Sequence, residues 1–114
     1  MNTPLLILDV AHPPARQEVV EEQLLEAVKR VRTSREVRLI KIIHGYGSSG
    51  RGGGTKSVVE NWLFRRRTLV RGIVPGETYD LLDAATLAMR AEVGQYPDPD
   101  LGAGNRGITV VWVW

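Results

Sequence analysis

The sequence predicts an α/β fold, and three observations carry that prediction. Apolar, β-branched runs stand at Leu5–Val10, at Leu39–Ile43 and at Ile108–Trp114. Between the first two lies a long stretch with apolar residues at helical intervals, and a glycine-dense segment joins the second run to another helical pattern. A chain of 114 residues suits one domain with its own core, so residues 1–114 are read as a single unit.

The elements follow in order. Leu5–Val10 reads as a first buried strand, closed by Asp9 and then by His12, Pro13 and Pro14. From Ala15 to Arg32, Val20, Leu24, Ala27, Val28 and Val31 recur on one helical face, with acids early and bases late as the helix dipole favours. Thr33–Glu36 is a short connection into a strand of Leu39, Ile40, Ile42 and Ile43, interrupted only by Lys41 and ended at Gly45. A right-handed crossover makes these two strands parallel, so Asp9, His12 and His44 open on one edge of the sheet. Thr55 and Ser57 are candidate caps for the next helix, Ser57 and Glu60 form a capping-box pattern, and Val59, Trp62 and Leu63 give it a core-facing stripe. Leu69–Val74 is expected as a further strand, stopped by Pro75 and Gly76.

The stretch from Glu77 to Asp100 then turns acidic, with Arg90 its single base. Leu81, Leu82, Ala85, Ala88, Met89 and Val93 mark a short helix there, read as a solvated excursion. Residues 94–107, rich in Gly, Pro and Asp, form a loop. Ile108–Trp114 is the last strand, central or packed on both faces, with Trp112 and Trp114 as core or dimer-contact residues. Left uncovered, its edge would pair with another copy and make a homodimer.

Charge is distributed unevenly. Arg38, Lys41, Arg51, Lys56, Arg65, Arg66, Arg67 and Arg71 stand against Glu60 alone within one stretch, although the whole chain carries only +2. The segment Gly45–Gly54 holds Gly45, Gly47, Gly50, Gly52, Gly53 and Gly54, and glycine lets backbone N–H groups come close to a ligand. A helix N-terminus with Lys56 beside it is a ready anion site, and flanking arginines extend it along a phosphate backbone. GRGGGTKS at residues 50–57 is one residue from the nucleotide-binding P-loop pattern, with Thr55 where that pattern has the glycine before its lysine. No hydrophobic strand ending in aspartate lies downstream, so an NTPase is set aside.

Composition excludes other classes. With no cysteine, disulfides and thiolate metal sites are ruled out, and a reducing, cytoplasmic setting is compatible. No apolar stretch approaches the length of a membrane span and no secretory leader pattern is present, so a cytoplasmic protein without a membrane partner is expected.

Three stretches together resemble the signatures of the Smr (small MutS-related) domain family. They are LILDVAH at residues 6–12, IKIIHGYG with the following TKSVVENWL at residues 40–47 and 55–63, and GNRGITVVWV at residues 104–113. The middle one is the most specific, matching the family's HGxG loop at His44, Gly45 and Gly47. Leu8, Asp9 and His12 correspond to the family's LDxHG, with one extra residue before the histidine and Pro13 in place of the glycine. Gly104, Asn105, Gly107 and Thr109 correspond to its closing GGxGAT. The resemblance implies a two-layer β-α-β-α-β-β sandwich like the C-terminal domain of translation initiation factor three, here with a short extra acidic helix before the last strand. It also implies nucleic acid, DNA or RNA, as the substrate class, and a candidate endonuclease, often assisted in the family by a divalent cation such as Mg2+ or Mn2+.

On this reading Asp9, His12 and His44 are the candidate catalytic residues. Asp9 orients a water or a divalent cation, and imidazole, which titrates near neutrality, supplies acid–base chemistry. Gly45, Tyr46, Gly47, Arg51, Gly52, Gly53, Gly54, Thr55, Lys56, Arg65 and Arg66 are the candidate phosphate-binding set. Two histidines and one aspartate do not make a strong metal constellation. Two alternatives stand beside this one: a recognition module that binds nucleic acid without cutting it, and an adaptor that offers the same basic surface to an acidic protein.

Overall fold

A computed structural model of the chain describes residues 3–46 and 54–114. Among these residues there are three α-helices and a four-stranded mixed sheet. The strands are β1 (Leu5–Asp9), β2 (Leu39–Ile43), β3 (Gly72–Pro75) and β4 (Ile108–Trp112), and the helices are α1 (Gln17–Arg32), α2 (Thr55–Arg65) and α3 (Ala84–Val93). The sheet order is β1-β2-β4-β3, with β1 and β2 parallel and β4 antiparallel to both of its neighbours. The expected β-α-β unit and its parallel pair are present. No helix among the described residues is long and apolar enough to cross a membrane.

Alternation along β2 and β4 divides the core into two halves. Ile40, Ile42 and Val111 face one side, where Val20, Leu24 and Val31 of α1 and Val59, Trp62 and Leu63 of α2 cover them. Leu39, Val110 and Trp112 face the other, beneath Met89 of α3 and the rings of Tyr79 and Tyr96. The sheet is therefore covered on both faces rather than in the two layers expected, and residues 77–100 are no solvated excursion. They supply the second cover.

Several local expectations are corrected. β1 is an edge strand with Ile7 58% exposed and not the buried strand expected, because nothing pairs with its outer side among the described residues. β4 lies between β2 and β3 and is buried along its whole length, so it offers no edge to a second copy. Of the two readings for the tryptophans the core one holds: Trp112 is buried, and Trp114 packs partly buried against the core with its indole N–H reaching the carbonyls of Val31 and Val37. The third strand begins at Gly72 because Arg67–Leu69 forms a 3-10 turn; Pro75 falls inside it, tolerated because β3 is the opposite edge. α2 starts directly after Gly54, so Thr55 and Ser57 lie within its first turn and among the described residues no side chain caps it; the Ser57–Glu60 box does not form. α3 starts after Leu81 and Leu82, which are exposed, and Asp83 caps it by accepting from the Thr86 N–H at 2.9 Å.

Candidate functional site

β1, β2 and β3 all run in one direction, so their carboxyl ends meet at one edge of the sheet, where β4 begins. Asp9, His44 and the Gly76–Thr78 turn stand there together with the segment leading into β4. The close approach of these chains depends on Gly76: a Cβ at that position would overlap the Asn105 carbonyl and the Ile108 side chain.

At the end of β1, Asp9 folds the chain over its own carboxylate. Its Oδ1 accepts from the N–H groups of Ala11 at 2.9 Å and His12 at 3.0 Å, and its Oδ2 accepts from His12 Nδ1 at 3.1 Å. Burial alone would push this carboxyl up, but the Ala11 amide, the His12 ring and the His12 amide outweigh it and hold the pKa below the usual value. Because Nδ1 carries the proton toward Asp9, the neutral ring keeps a lone pair on Nε2, which has no partner among the described residues. The His12 side chain is 76% exposed, so that nitrogen is open to a ligand.

His44 is arranged in the opposite way. It is buried, its Nδ1–H donates to the Gly45 carbonyl at 2.7 Å, and its Nε2 accepts from the Thr109 hydroxyl at 2.9 Å. Both ring nitrogens are thus engaged inside the protein, which fixes one tautomer. Burial pushes its pKa down, and the nearby Lys56 adds to this; the Gly45 carbonyl and the carboxylates of Glu60 and Glu77 oppose it without reversing it. His44 holds the loop, while His12 faces solvent.

The loop itself is docked on the β4 entry. The N–H groups of His44 and Gly45 both donate to the Gly107 carbonyl, at 2.9 and 3.0 Å, and Gly45 turns with φ +78°. Tyr46 follows and is 74% exposed. Gly47, Arg51, Gly52 and Gly53 lie outside the described residues. The chain resumes at Gly54, which precedes α2 without closing its first amides by a side chain; Thr55 and Lys56 open that helix, and Lys56 Nζ lies 3.8 Å from the Glu77 carboxylate.

Arg65 and Arg66 do not join this group. α2 is 11 residues long, so its ends are about 15 Å apart at 1.5 Å per residue. Arg65 pairs with Glu21 of α1 at 3.1 Å, and the Arg66 guanidinium stacks 4.5 Å from the Trp62 ring centroid. The basic stretch therefore divides between the two ends of one helix instead of forming a single track.

A second set of residues, not singled out from the sequence as functional, supports the same edge from below. Lys41 is 5% exposed in the middle of β2, with Nζ at 2.8 Å from Asp98 Oδ1 and 2.7 Å from Asp100 Oδ2. Burial alone would lower the Lys41 ammonium, but the two carboxylates outweigh it and raise its pKa; in return Lys41 draws the Asp100 carboxyl down. Asp98 Oδ2 also accepts from the Tyr79 hydroxyl, which accepts from Tyr96. Asp100 Oδ1 accepts from Asn105 Nδ2, Asn105 Oδ1 accepts from the Gly107 N–H, and the Gly107 carbonyl takes the two loop amides. A continuous hydrogen-bond chain thus runs from a buried lysine to the His44–Gly45 turn. The signal was present in the sequence: a lysine inside an apolar strand must find carboxylates, and Asp98 and Asp100 stand close together in one loop.

Among the described residues no three of His, Asp and Glu converge as ligands for a metal ion. Asp9 and His12 offer two donors, and Asp9 Oδ1 already serves two amides, so this donor set does not fit a resident divalent cation. At this level the molecule is an α/β domain with an exposed Asp–His pair and a glycine-docked loop on one sheet edge. No protein-family model, curated protein or solved structure matches the chain.

Proposed function

We propose that this chain is a Smr-like nucleic-acid-binding domain that cuts phosphodiester backbones at the carboxyl edge of its sheet, on a fold akin to the C-terminal domain of translation initiation factor three to which α3 and its flanking loops add a further layer. The observation that carries the reading is the Asp9–His12 pair, one ring nitrogen held by the carboxylate and the other open to solvent. In the reaction His12 Nε2 accepts the proton of the attacking oxygen, a water or a ribose 2′-hydroxyl, as that oxygen bonds to phosphorus; the phosphorus bond to the leaving oxygen breaks, that oxygen takes a proton from solvent, and the imidazolium returns its own to solvent. Asp9 keeps the ring oriented and stabilises the imidazolium that forms. Lys56 and the uncapped first turn of α2 neutralise the phosphate, and Tyr46 offers a ring to an unpaired base. Glu77 must move away from Lys56 for the phosphate to enter.

Labelled single-stranded RNA and branched DNA, each with Mg2+, with Mn2+ and with chelator, test the reading. The wild type is expected to bind with affinity that falls as salt rises, and to cleave. His12→Ala is expected to lower cleavage by about 10²-fold or more while binding persists. Lys56→Ala weakens binding to all sequences alike and reduces the salt slope by about one. Equal cleavage by wild type, Asp9→Asn and His12→Ala would remove the catalytic assignment, and absence of binding at moderate salt would remove the nucleic-acid reading altogether. A second reading, recognition without cleavage, is favoured by His44: with both its nitrogens engaged, one imidazole remains for acid–base work. Binding without scission under every metal condition selects it.

A further inference from the structure

The two edges of the sheet are defended differently. β3, at one end, is four residues long and contains Gly72 and Pro75, devices that discourage strand pairing. β1, at the other, reads LLILD and has no proline or basic residue in it. The Pro4 carbonyl accepts from the N–H groups of Arg38 and Leu39, and the Val10 N–H donates to the Ile43 carbonyl, so these even-numbered positions face β2. Successive residues of a strand point their backbone groups to opposite sides, which leaves Ile7 and Asp9 directing theirs outward, where no strand lies among the described residues.

Beside this edge runs a groove of about 470 Å³ between β1 and α1. Leu6, Leu8 and Val19 give it apolar walls, while Glu22 and Glu26 outweigh Arg30 in charge. Gln23, on the same wall, has a buried Oε1 with no hydrogen-bond partner among the described residues, an acceptor in want of a donor.

We propose that this edge and groove receive an extended, basic segment of a partner protein, which adds a fifth strand to the sheet beside β1. Main-chain bonds to the outward groups of Ile7 and Asp9 supply affinity. Alternate apolar side chains fill the groove, and flanking lysines or arginines meet Glu22 and Glu26. The acidic wall disfavours a nucleic acid here. It also disfavours a second copy, since a two-fold pairing of β1 sets the net-acidic α1 walls of both copies, Glu22 and Glu26 against one Arg30 in each, beside one another. The inference is independent of the chemistry at the carboxyl edge.

The probe is an extended peptide of alternating valine and threonine flanked by lysines at both ends, with the same peptide flanked by glutamates as control, titrated into isotope-labelled full chain. The lysine peptide is expected to shift the amides of Leu5–Asp9 and of Val19–Arg30 and to slow hydrogen exchange at Ile7. Glu22→Lys combined with Glu26→Lys, both on the surface of α1, is expected to lower affinity at least tenfold with unchanged thermal stability. Equal binding of the glutamate peptide, shifts confined to other surfaces, or undiminished affinity in the double variant would overturn the proposal. Concentration-dependent dimers that protect Ile7 by themselves would assign the edge to a second copy instead.

Discussion

The two faces of the sheet solve the same burial problem by different physics. On the α1–α2 face, aliphatic side chains and Trp62 close over Ile40, Ile42 and Val111, and what holds them is removal of apolar surface from water. On the α3 face a single short helix cannot cover the sheet. Lys41, Asp98, Asp100, Tyr79 and Tyr96 fill the remainder as a polar network. Arg90 completes it, stacking 4.8 Å from the Tyr96 ring and donating to the Tyr96 carbonyl. A packed apolar face tolerates change in proportion to the volume lost, whereas a buried network fails when one member goes. The same network reaches the candidate site through Asn105 and Gly107, so the polar face also bears on loop geometry.

The largest expected effect follows from removing the lysine. Lys41→Met leaves the wholly buried Asp98 side chain without its cation and is expected to cost about 3–5 kcal/mol, read as the urea unfolding midpoint. Neutralising the carboxylates as well, in a Lys41→Met, Asp98→Asn, Asp100→Asn variant, is expected to recover half or more of that loss, because the penalty belongs to the stranded charge. Leu24→Ala, on the apolar face, costs about 3 kcal/mol with no such rescue. Acid separates the two faces further. The Asp100 carboxyl is held below its ordinary value of 3.8 by Lys41, so its contribution is complete above that value and is lost as pH falls through the depressed one. Lys41, raised above 10.5, contributes fully below that value and loses its contribution only as pH climbs past the raised one. The Lys41→Met deficit should therefore shrink in strong acid, where the Leu24→Ala deficit persists.

This contrast also explains what was legible in the sequence. α1, β2 and β4 declare themselves through local periodicity, because each buries residues that recur at a fixed interval. The partners of Lys41 stand 57 and 59 residues away, and no local pattern joins them. The acidic stretch was read by its net charge, but Asp98 is interior while Glu77 is exposed, and net charge does not separate the two. Similarly, the arginines of the basic stretch are visible as a cluster along the chain, yet a helix carries Arg65 and Arg66 to the far end from Lys56. Leu81 and Leu82 count toward the short helix in the sequence, but Asp83 starts α3 after them, and Met89 is buried there together with Thr86 and Arg90. Asp9 and His12 are recognisable because they close the first apolar run, at the strand end where α/β sheets gather ligand sites.

An intermediate effect comes from His44, buried between the Gly45 carbonyl and the Thr109 hydroxyl. Since burial depresses His44 below 6.5, its neutral form contributes fully above that value, and stability is lost as pH falls through the lower, folded value. Unfolding midpoints measured from about pH 8 to about pH 5 should show this decline. His44→Gln is expected to flatten it while costing about 1–3 kcal/mol at the upper end through the imperfectly replaced bonds to Gly45 and Thr109. A decline that survives the substitution would trace it to another group.

The smallest effect tests how firmly the polar face is anchored at its outer layer. Asp83 accepts from both the N–H and the hydroxyl of Thr86, at 2.9 and 2.8 Å, and Thr86 is itself buried and reaches the Thr78 carbonyl. Asp83→Ala removes one helix cap and is expected to cost about 1 kcal/mol. If α3 is merely a cover over the network, that cost appears in unfolding alone and the amide shifts of Asn105 and Gly107 stay in place. If α3 sets the position of the network, the same substitution also moves those two amides, and with them the turn at His44 and Gly45, even though Asp83 touches none of them. Comparing the two readouts in one variant measures how far the candidate site depends on the helix that the sheet's second face recruits.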